Sequence, residues 1–345
     1  GFFMAEDRPP PPAASRAVLW ISLLCICVAL SAGDTAATTD EDPARPFAVA
    51  GYLPEWRYKG VDYGAICKHV THLIFFSIEV AADGSLAAMD RFPNRPQLIA
   101  AREAATKYGT KLLICFGGNS RTNGFPQMVA SKATRKLFLE TLIGLLEKHE
   151  MHGVDYNWEY PRSEKEWKGL GLLLKETSYE FRKRGWVVTM AYYPDGAQEK
   201  MMSKFEMDKY CDLMHMMSYD QHGQHSTWEF GVASVEKGLN KLPASVLTMG
   251  VPFYSRSVKT GDWKTYDELV KTYGKKLKKK TDQIGEHYFN GVKMIMKKVR
   301  YAKTHKLGGV MIWEVGQDVH PSHKMSLLAA ITRARGSGKE SGGGD

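Results

Sequence analysis

The chain has 345 residues, 43% hydrophobic and 25% charged, with 47 Lys and Arg against 38 Asp and Glu, a net charge of +9. Those fractions exclude an intrinsically disordered chain and leave room for one large core. Five cysteines, two of them inside an apolar N-terminal run, exclude a disulfide-built scaffold.

Residues Ala17–Ala32 (AVLWISLLCICVALSA) are uncharged and follow Arg8 and Arg16, with the small residues Ser31 and Gly33 where a signal peptidase would cut. This length suits a signal h-region better than a spanning helix. We read residues 1–33 as a signal peptide. An uncleaved signal anchor is the alternative, because the lead is long and carries Pro9–Pro12. Either way the rest of the chain is expected outside the cell, secreted or tethered. Residues 34–46 are small, acidic and Pro-containing and read as a linker.

Eight short apolar runs follow. They begin at Phe47 (FAVAGY), Thr71 (THLIFFSIEV), Lys111 (KLLICF), Gly153 (GVDYNW), Trp186 (WVVTMAY), Asp212 (DLMHMMSY), Val246 (VLTMGV) and Gly308 (GGVMIW). Continuous apolar runs of this length suit strands covered on both faces. Between them, helical periodicity marks Leu98–Lys107, Lys132–His149, Glu164–Arg184, Val235–Asn240, Asn290–His305 and Ser322–Arg333. Eight buried strands alternating with helices predict one closed (β/α)8 TIM barrel over residues 47–334. An open doubly wound sheet is the alternative, but no GxGxxG follows the first run, so no dinucleotide site is expected. The long span Phe253–Leu307 predicts a short excursion between strands 7 and 8. Lysines 275, 276, 278, 279 and 280 read as a solvated loop, with an electrostatic docking patch as the alternative, and no nucleic-acid partner is expected. Residues 335–345 (GSGKESGGGD and the Arg before it) read as a flexible tail.

Cysteines 67, 115 and 211 form no metal-ligand spacing, and no metal or other cofactor is expected. Cys115 reads as a core thiol. The fourth run carries Asp155, Asn157 and Glu159, which share one face of a strand because side chains alternate. Tyr156 and Trp158 then face the helices, which puts the polar row inside the barrel. A buried polar row is costly unless hydrogen-bonded or used. It is either a satisfied ladder that supports the barrel or a site with Glu159 as a general acid whose pKa its neighbours tune.

Here the chain resembles the family 18 glycoside hydrolases, the chitinases and chitinase-like lectins. Their D-G-x-D-x-D-x-E signature is similar to His152-Gly153-Val154-Asp155-Tyr156-Asn157-Trp158-Glu159, followed by Tyr160-Pro161. Gly51-Tyr52-Leu53-Pro54-Glu55-Trp56 resembles the first-strand motif. Phe116-Gly117-Gly118 resembles S-x-G-G, with Cys115 and Phe116 departing from it. Met217-Ser218-Tyr219-Asp220 matches M-x-Y-D, Pro252-Phe253-Tyr254-Ser255-Arg256 resembles the seventh-strand segment, and Trp313 matches the eighth-strand tryptophan.

The resemblance implies hydrolysis of β-1,4-linked N-acetylglucosamine polymers with retention, using the substrate's acetamido oxygen instead of a second carboxylate. Glu159 would be the acid/base, assisted by Asp155 and Asn157. Tyr219 would bond the acetamido group and Asp220 would hold the sugar. Trp313 would stack under the ring, and Tyr52, Trp56, Gly117, Gly118, Tyr160, Met217 and Arg256 would complete the substrate site. For Tyr52, Trp56 and Trp313 the alternative is core packing. The expected partner is chitin or another N-acetylglucosamine glycan, the expected state a monomer, and membrane contact is expected only through residues 1–33.

Two departures bear on activity. Asn157 stands where the family has its central Asp. Its amide resembles a permanently protonated Asp and cannot change charge, so slower turnover and an altered acid limb are expected. His152 replaces the first Asp, with an effect expected on packing more than on chemistry. A chitin-binding lectin with weak or no catalysis is therefore the second reading. A hydrolase of N-glycan cores or peptidoglycan is the third. With no tandem binding module visible, soluble oligosaccharides are expected over crystalline chitin.

Overall fold

The computed structural model describes residues 46–336. The expectations for residues 1–45 and for residues 337–345 lie outside the described residues.

Eight parallel strands form the barrel, one from each apolar run. They are β1 (Ala48–Pro54), β2 (His72–Val80), β3 (Lys111–Gly117), β4 (Gly153–Asn157), β5 (Val187–Tyr192), β6 (Leu213–Met216), β7 (Leu247–Pro252) and β8 (Gly309–Trp313). Each pairs with the next, and β8 pairs with β1, which closes the ring. Alternation along each strand divides the apolar core in two. Ala50 and Tyr52 of β1 and Leu113 and Cys115 of β3 point into the barrel. Val49, Leu53, Leu112, Ile114 and Phe116 point outward and pack with the surrounding helices.

Those helices are α1 (Tyr63–Cys67), α2 (Arg95–Tyr108), α3 (Phe125–Ala130), α4 (Lys132–His149), α5 (Glu164–Arg182), α6 (Ala197–Lys204), α7 (Trp228–Leu239), α8 (Tyr266–Tyr273), α9 (Val292–Thr304) and α10 (Leu327–Gly336). Helix α4 has the expected bounds. Helix α7 starts earlier than periodicity suggests, because the Thr227 hydroxyl accepts from Phe230 N at 3.0 Å and caps it there. Helix α10 starts later, where Asp318 accepts from Leu327 N and Leu328 N at 3.1 and 2.8 Å. It runs two residues into the segment read as tail, to Gly336. The short helices α1, α3, α6 and α8 were not expected, since none carries enough turns to show a period.

The excursion after β7 is a small antiparallel sheet ordered Trp263–Thr265, Tyr254–Ser257, His287–Tyr288, Gln283–Ile284, with α8 inserted in it. The five lysines at 275, 276 and 278–280 are exposed, as a solvated loop requires. Among the described residues no helix is long and apolar enough to cross a membrane, and no cluster of three or more His, Cys, Asp or Glu is placed to hold a metal.

Candidate active site

Asp155 of β4 sits at the barrel's centre with no exposure. It accepts from Tyr52 Oη (β1) at 2.8 Å and from Thr189 Oγ1 (β5) at 2.7 Å, and the Cys115 thiol (β3) donates to it as well. Burial pushes its pKa up, and the three donors oppose that rise. His215 of β6 lies beside it, Nε2 at 3.9 Å from Oδ1, with Nδ1 against Thr248 Oγ1 at 2.7 Å. Burial lowers His215 to about 3, so it is neutral at working pH.

One step up the strand, Asn157 is buried and its amide bonds the Glu159 carboxyl. Its Oδ1 has no hydrogen-bond partner among the described residues. Glu159 follows, half-buried, just past the end of β4. Burial raises its pKa, and the charge on Asp220 adds to the rise. Hydrogen bonds from Asn157, Tyr160 and the Asn119 N–H work against it. Tyr156 and Trp158 face outward as alternation requires. Tyr156 Oη meets Thr177 Oγ1 of α5 at 2.9 Å, and Trp158 stacks on Phe125 of α3 at 5.2 Å.

The opposite wall comes from the loop after β6. Asp220 has φ +65° and turns its carboxylate back toward the cavity. Arg256 Nε and Tyr254 Oη donate to its Oδ1 at 2.5 and 2.7 Å, and His225 Nδ1 stands 3.6 Å from the same oxygen. The second oxygen is the one left for a ligand, and the side chain is 40% exposed. Burial by itself would raise Asp220, but His225, Arg256 and Tyr254 outweigh it and hold the carboxyl well below the usual range. Tyr219 is buried, its Oη 3.6 Å from Met311 Sδ. Burial, then the charges of Asp220 and Glu159, push its phenol well above its ordinary pKa, so it keeps its proton.

A buried network fixes this loop. Ser226 Oγ donates to Ser218 O at 2.9 Å, while Lys298 Nζ and Asn290 Nδ2 donate to Ser226 O at 3.0 and 2.7 Å. Burial lowers the Lys298 ammonium to about 7.

The floor is Trp313, edge-on to Phe76 at 4.6 Å and tilted against Tyr52 at 5.5 Å. Phe76 and Ser77 lie where β2 slips register against β3 between Phe75 and Ile78, an irregularity that re-aims side chains. Trp56, 53% exposed, stands at the rim with Arg121 5.6 Å from its ring. Arg121 is tied to Glu55 at 2.7 Å and to Ser77 Oγ at 3.0 Å.

These walls enclose a cavity of about 310 Å³. Of the residues singled out in the sequence, Tyr52, Trp56, Asn157, Glu159, Met217, Tyr219, Asp220, Arg256 and Trp313 line it. Asp155 acts from beneath. Tyr160 touches the site through Glu159. Gly117 and Gly118 lie where the backbone admits no side chain. Both have φ near +100°, and a Cβ would meet Asn157 O at 2.4 Å and the Phe76 ring at 2.3 Å respectively. The sequence reading missed Phe76, Asn119, Arg121, Ala191 and Met311 of the lining. Phe76 was hidden inside an apolar run, and Arg121 carries no pattern of its own. Tyr254 lay in the quoted seventh-strand segment, where its bond to Asp220 has no sequence signal.

The model of the family "Glycosyl hydrolases family 18" matches residues 48–318. Chitinase 1 of Aphanocladium album is 24% identical over 84% of this chain and 86% of its own length. Among solved structures, a chitinase from Bacteroides thetaiotaomicron superposes with a TM-score of 0.73 at 24% identity, covering 85% of this chain and 97% of the other. The Ostrinia furnacalis Group IV chitinase in complex with allosamidin gives 0.72 at 22% identity, covering 83% and 98%. The family match spans every barrel strand and every residue of the cavity, and on that ground the chain belongs to glycosyl hydrolase family 18 and is a glycoside hydrolase.

Proposed function

We propose that the chain hydrolyses β-1,4-linked N-acetylglucosamine oligomers of the chitin type by a retaining, substrate-assisted route with Glu159 as acid and base. The observation that carries this reading is the pairing of a raised Glu159 carboxyl with an Asn157 whose buried Oδ1 has no partner. A carboxyl with an elevated pKa keeps a proton to give. A buried acceptor without a donor is costly, and the N–H of a substrate acetamido group would satisfy it. The names of the relatives, all chitinases, and the allosamidin complex support the same substrate class.

Glu159 gives its proton to the glycosidic oxygen as the C1–O bond breaks. The acetamido carbonyl oxygen attacks C1 and forms a cyclic oxazolinium ion. Tyr219, protonated, donates to that acetamido oxygen, and Asn157 accepts from its N–H while bonding Glu159 with its own amide. Glu159, now ionised, takes a proton from water as the water oxygen attacks C1 and reopens the ring. Asp220 accepts from a sugar hydroxyl through its free oxygen, and the Trp313 face packs the sugar's C–H face. No second carboxylate serves as nucleophile: Asp155 is enclosed, and Asp220 is held by Arg256 and Tyr254.

A second reading, sugar binding with weak or no turnover, rests on the fixed neutrality of Asn157. Hydrolysis of a chromogenic chitotrioside by wild type, Glu159→Gln and Asn157→Asp separates the two. Turnover in wild type that vanishes in Glu159→Gln supports the enzyme. Binding without turnover, with activity arising only in Asn157→Asp, supports the lectin. A panel including N-glycan cores and peptidoglycan fragments tests the sugar class. We also propose that the protein acts outside the cell, secreted or tethered, on the strength of the apolar run at residues 17–32.

A further inference from the structure

The lysine-rich loop after α8 serves neither the barrel core nor its cavity. Between Glu268 and Asp282 the chain carries Lys271, Lys275, Lys276, Lys278, Lys279 and Lys280 and no acidic residue. All six are exposed. The backbone beneath them is nevertheless fixed. Leu277 is buried, and its N–H donates to Gly274 O at 3.1 Å. Lys278 N donates to Thr281 Oγ1 at 3.1 Å, and Lys293 N of α9 donates to Lys279 O at 2.8 Å. A loop anchored in this way presents its ammonium groups from set positions.

Facing this loop is the segment that follows β8. Tyr266 Oη of α8 donates to Met325 O at 3.1 Å and ties the two together. Between them runs a groove of about 590 Å³. The buried side chains Leu277 and Met325 form its floor, with Lys275, Lys278 and Lys279 on one flank and Lys324 on the other. No acidic side chain lines it. Among the described residues no carboxylate comes within ion-pair distance of these four lysines, unlike Lys259, which pairs with Glu286 in the same excursion. Two carboxylates close to them in the chain are committed elsewhere. Asp282 accepts from Gly291 N at 2.8 Å, and Asp318 accepts from Ser326 Oγ at 2.8 Å and from the first turn of α10. Like charges gathered on one loop repel over a Debye length of about 8 Å, and an external anion would relieve that repulsion.

The class of anion follows from the lining. No Phe, Tyr or Trp lines the groove, so it has no platform on which nucleic-acid bases would stack. Its charges are lysines, compact point charges without the planar fork that arginine offers a single phosphate. Lysines on two flanks of a concavity suit a charged chain laid between them better than a flat bilayer. Both flanks belong to segments that leave the C-terminal ends of β7 and β8, the end at which the cavity opens. We infer that this groove docks a linear anionic polysaccharide bearing sulfate or carboxylate groups, and so holds the barrel mouth against a matrix that contains such chains. The docking is electrostatic, needs no chemistry at Glu159 and stands apart from the proposed substrate.

The test measures binding of the full chain to dextran sulfate and to polygalacturonate, with neutral dextran as the control, at low salt and over a salt titration. Duplex DNA and phosphatidylserine vesicles are run alongside. Two variants are compared with wild type. One combines Lys275→Gln, Lys278→Gln, Lys279→Gln and Lys324→Gln. The other combines Lys107→Gln, Lys132→Gln, Lys165→Gln and Lys168→Gln, exposed positions on α2, α4 and α5, and removes the same charge elsewhere. Wild type is expected to bind at least one of the two polyanions and not neutral dextran, and the one it binds tells sulfate from carboxylate. The groove variant should bind about 10- to 100-fold more weakly with a shallower salt dependence, and the other variant within about twofold of wild type. Chitotrioside turnover and the thermal melt should be unchanged in both. Equal losses in the two variants would show an effect of net charge and overturn the site. No wild-type binding to either polyanion, or groove-dependent binding only to the DNA or the vesicles, would overturn the partner.

Discussion

Two walls of one cavity shift their carboxylates in opposite directions. On the β4 wall, Glu159 is half-buried, and burial with the nearby Asp220 charge raises its pKa. On the β6–β7 wall, Asp220 is met by Arg256, Tyr254 and His225 on one oxygen and is held low. The difference is one of neighbours. Glu159 has neutral amide and phenol partners that only soften desolvation, whereas Asp220 has a guanidinium at 2.5 Å. Environments that push two acids apart can divide their roles, and in the proposed mechanism the raised one is the proton donor and the low one a fixed negative anchor. The walls are also coupled, because the anchor's charge helps keep the donor protonated.

The hardest way to break this contrast is to remove the donor. Glu159→Gln is expected to lower kcat by about 10³-fold or more, in the upper range for a general acid/base, with the fold intact by circular dichroism. Removing the anchor should do less. Asp220→Asn should lower kcat/KM by about 10- to 100-fold, as expected for losing a charged hydrogen-bond partner. It should also move the basic limb of the pH–rate profile to lower pH. The sign follows from the coupling: without the Asp220 charge the Glu159 pKa falls, and the acid form is lost sooner as pH rises.

Asn157→Asp sharpens the comparison from the other side. It places a titratable group beside Glu159, so turnover should rise by a few-fold and a new acid limb should appear in the profile, both read from initial rates across pH. The smallest effect is expected on stability. Glu314, next to the floor tryptophan, is buried with its pKa raised to about 7, by desolvation first and against the pull of Arg57 at 3.0 Å. A carboxyl whose folded pKa lies above its unfolded one loses stability as pH rises from about 4.3 to 7. Thermal melts should therefore show a shallower decline of Tm over that window in Glu314→Gln than in wild type.

How much of this the sequence made legible follows the same division. The β4 wall could be read because period-2 alternation places Asp155, Asn157 and Glu159 on one face, and all three lie on the barrel's inner side. All eight strands could be read for the related reason that each is a continuous apolar run. The β6–β7 wall could be read only in part. Tyr219 and Asp220 belong to a recognisable motif, but the partners of Asp220 come from Tyr254, Arg256 and His225, brought together by a small sheet whose two- to four-residue strands leave no periodic trace. Phe76 and Arg121 were hidden for a third reason: Phe76 alternates inward after Ile74 in a run that is apolar on both faces, and Arg121 is held by an ion pair with Glu55 from a distant part of the chain.

The central claim is that Glu159 works with the substrate's own acetamido oxygen and not with a second carboxylate. The direct test measures wild-type turnover of a chitotrioside beside its trifluoroacetamido analogue, whose carbonyl oxygen is a far weaker nucleophile. The account predicts a steep fall in kcat/KM with fluorination, at unchanged binding. Equal rates on the two substrates would contradict it and require a nucleophile supplied by the protein.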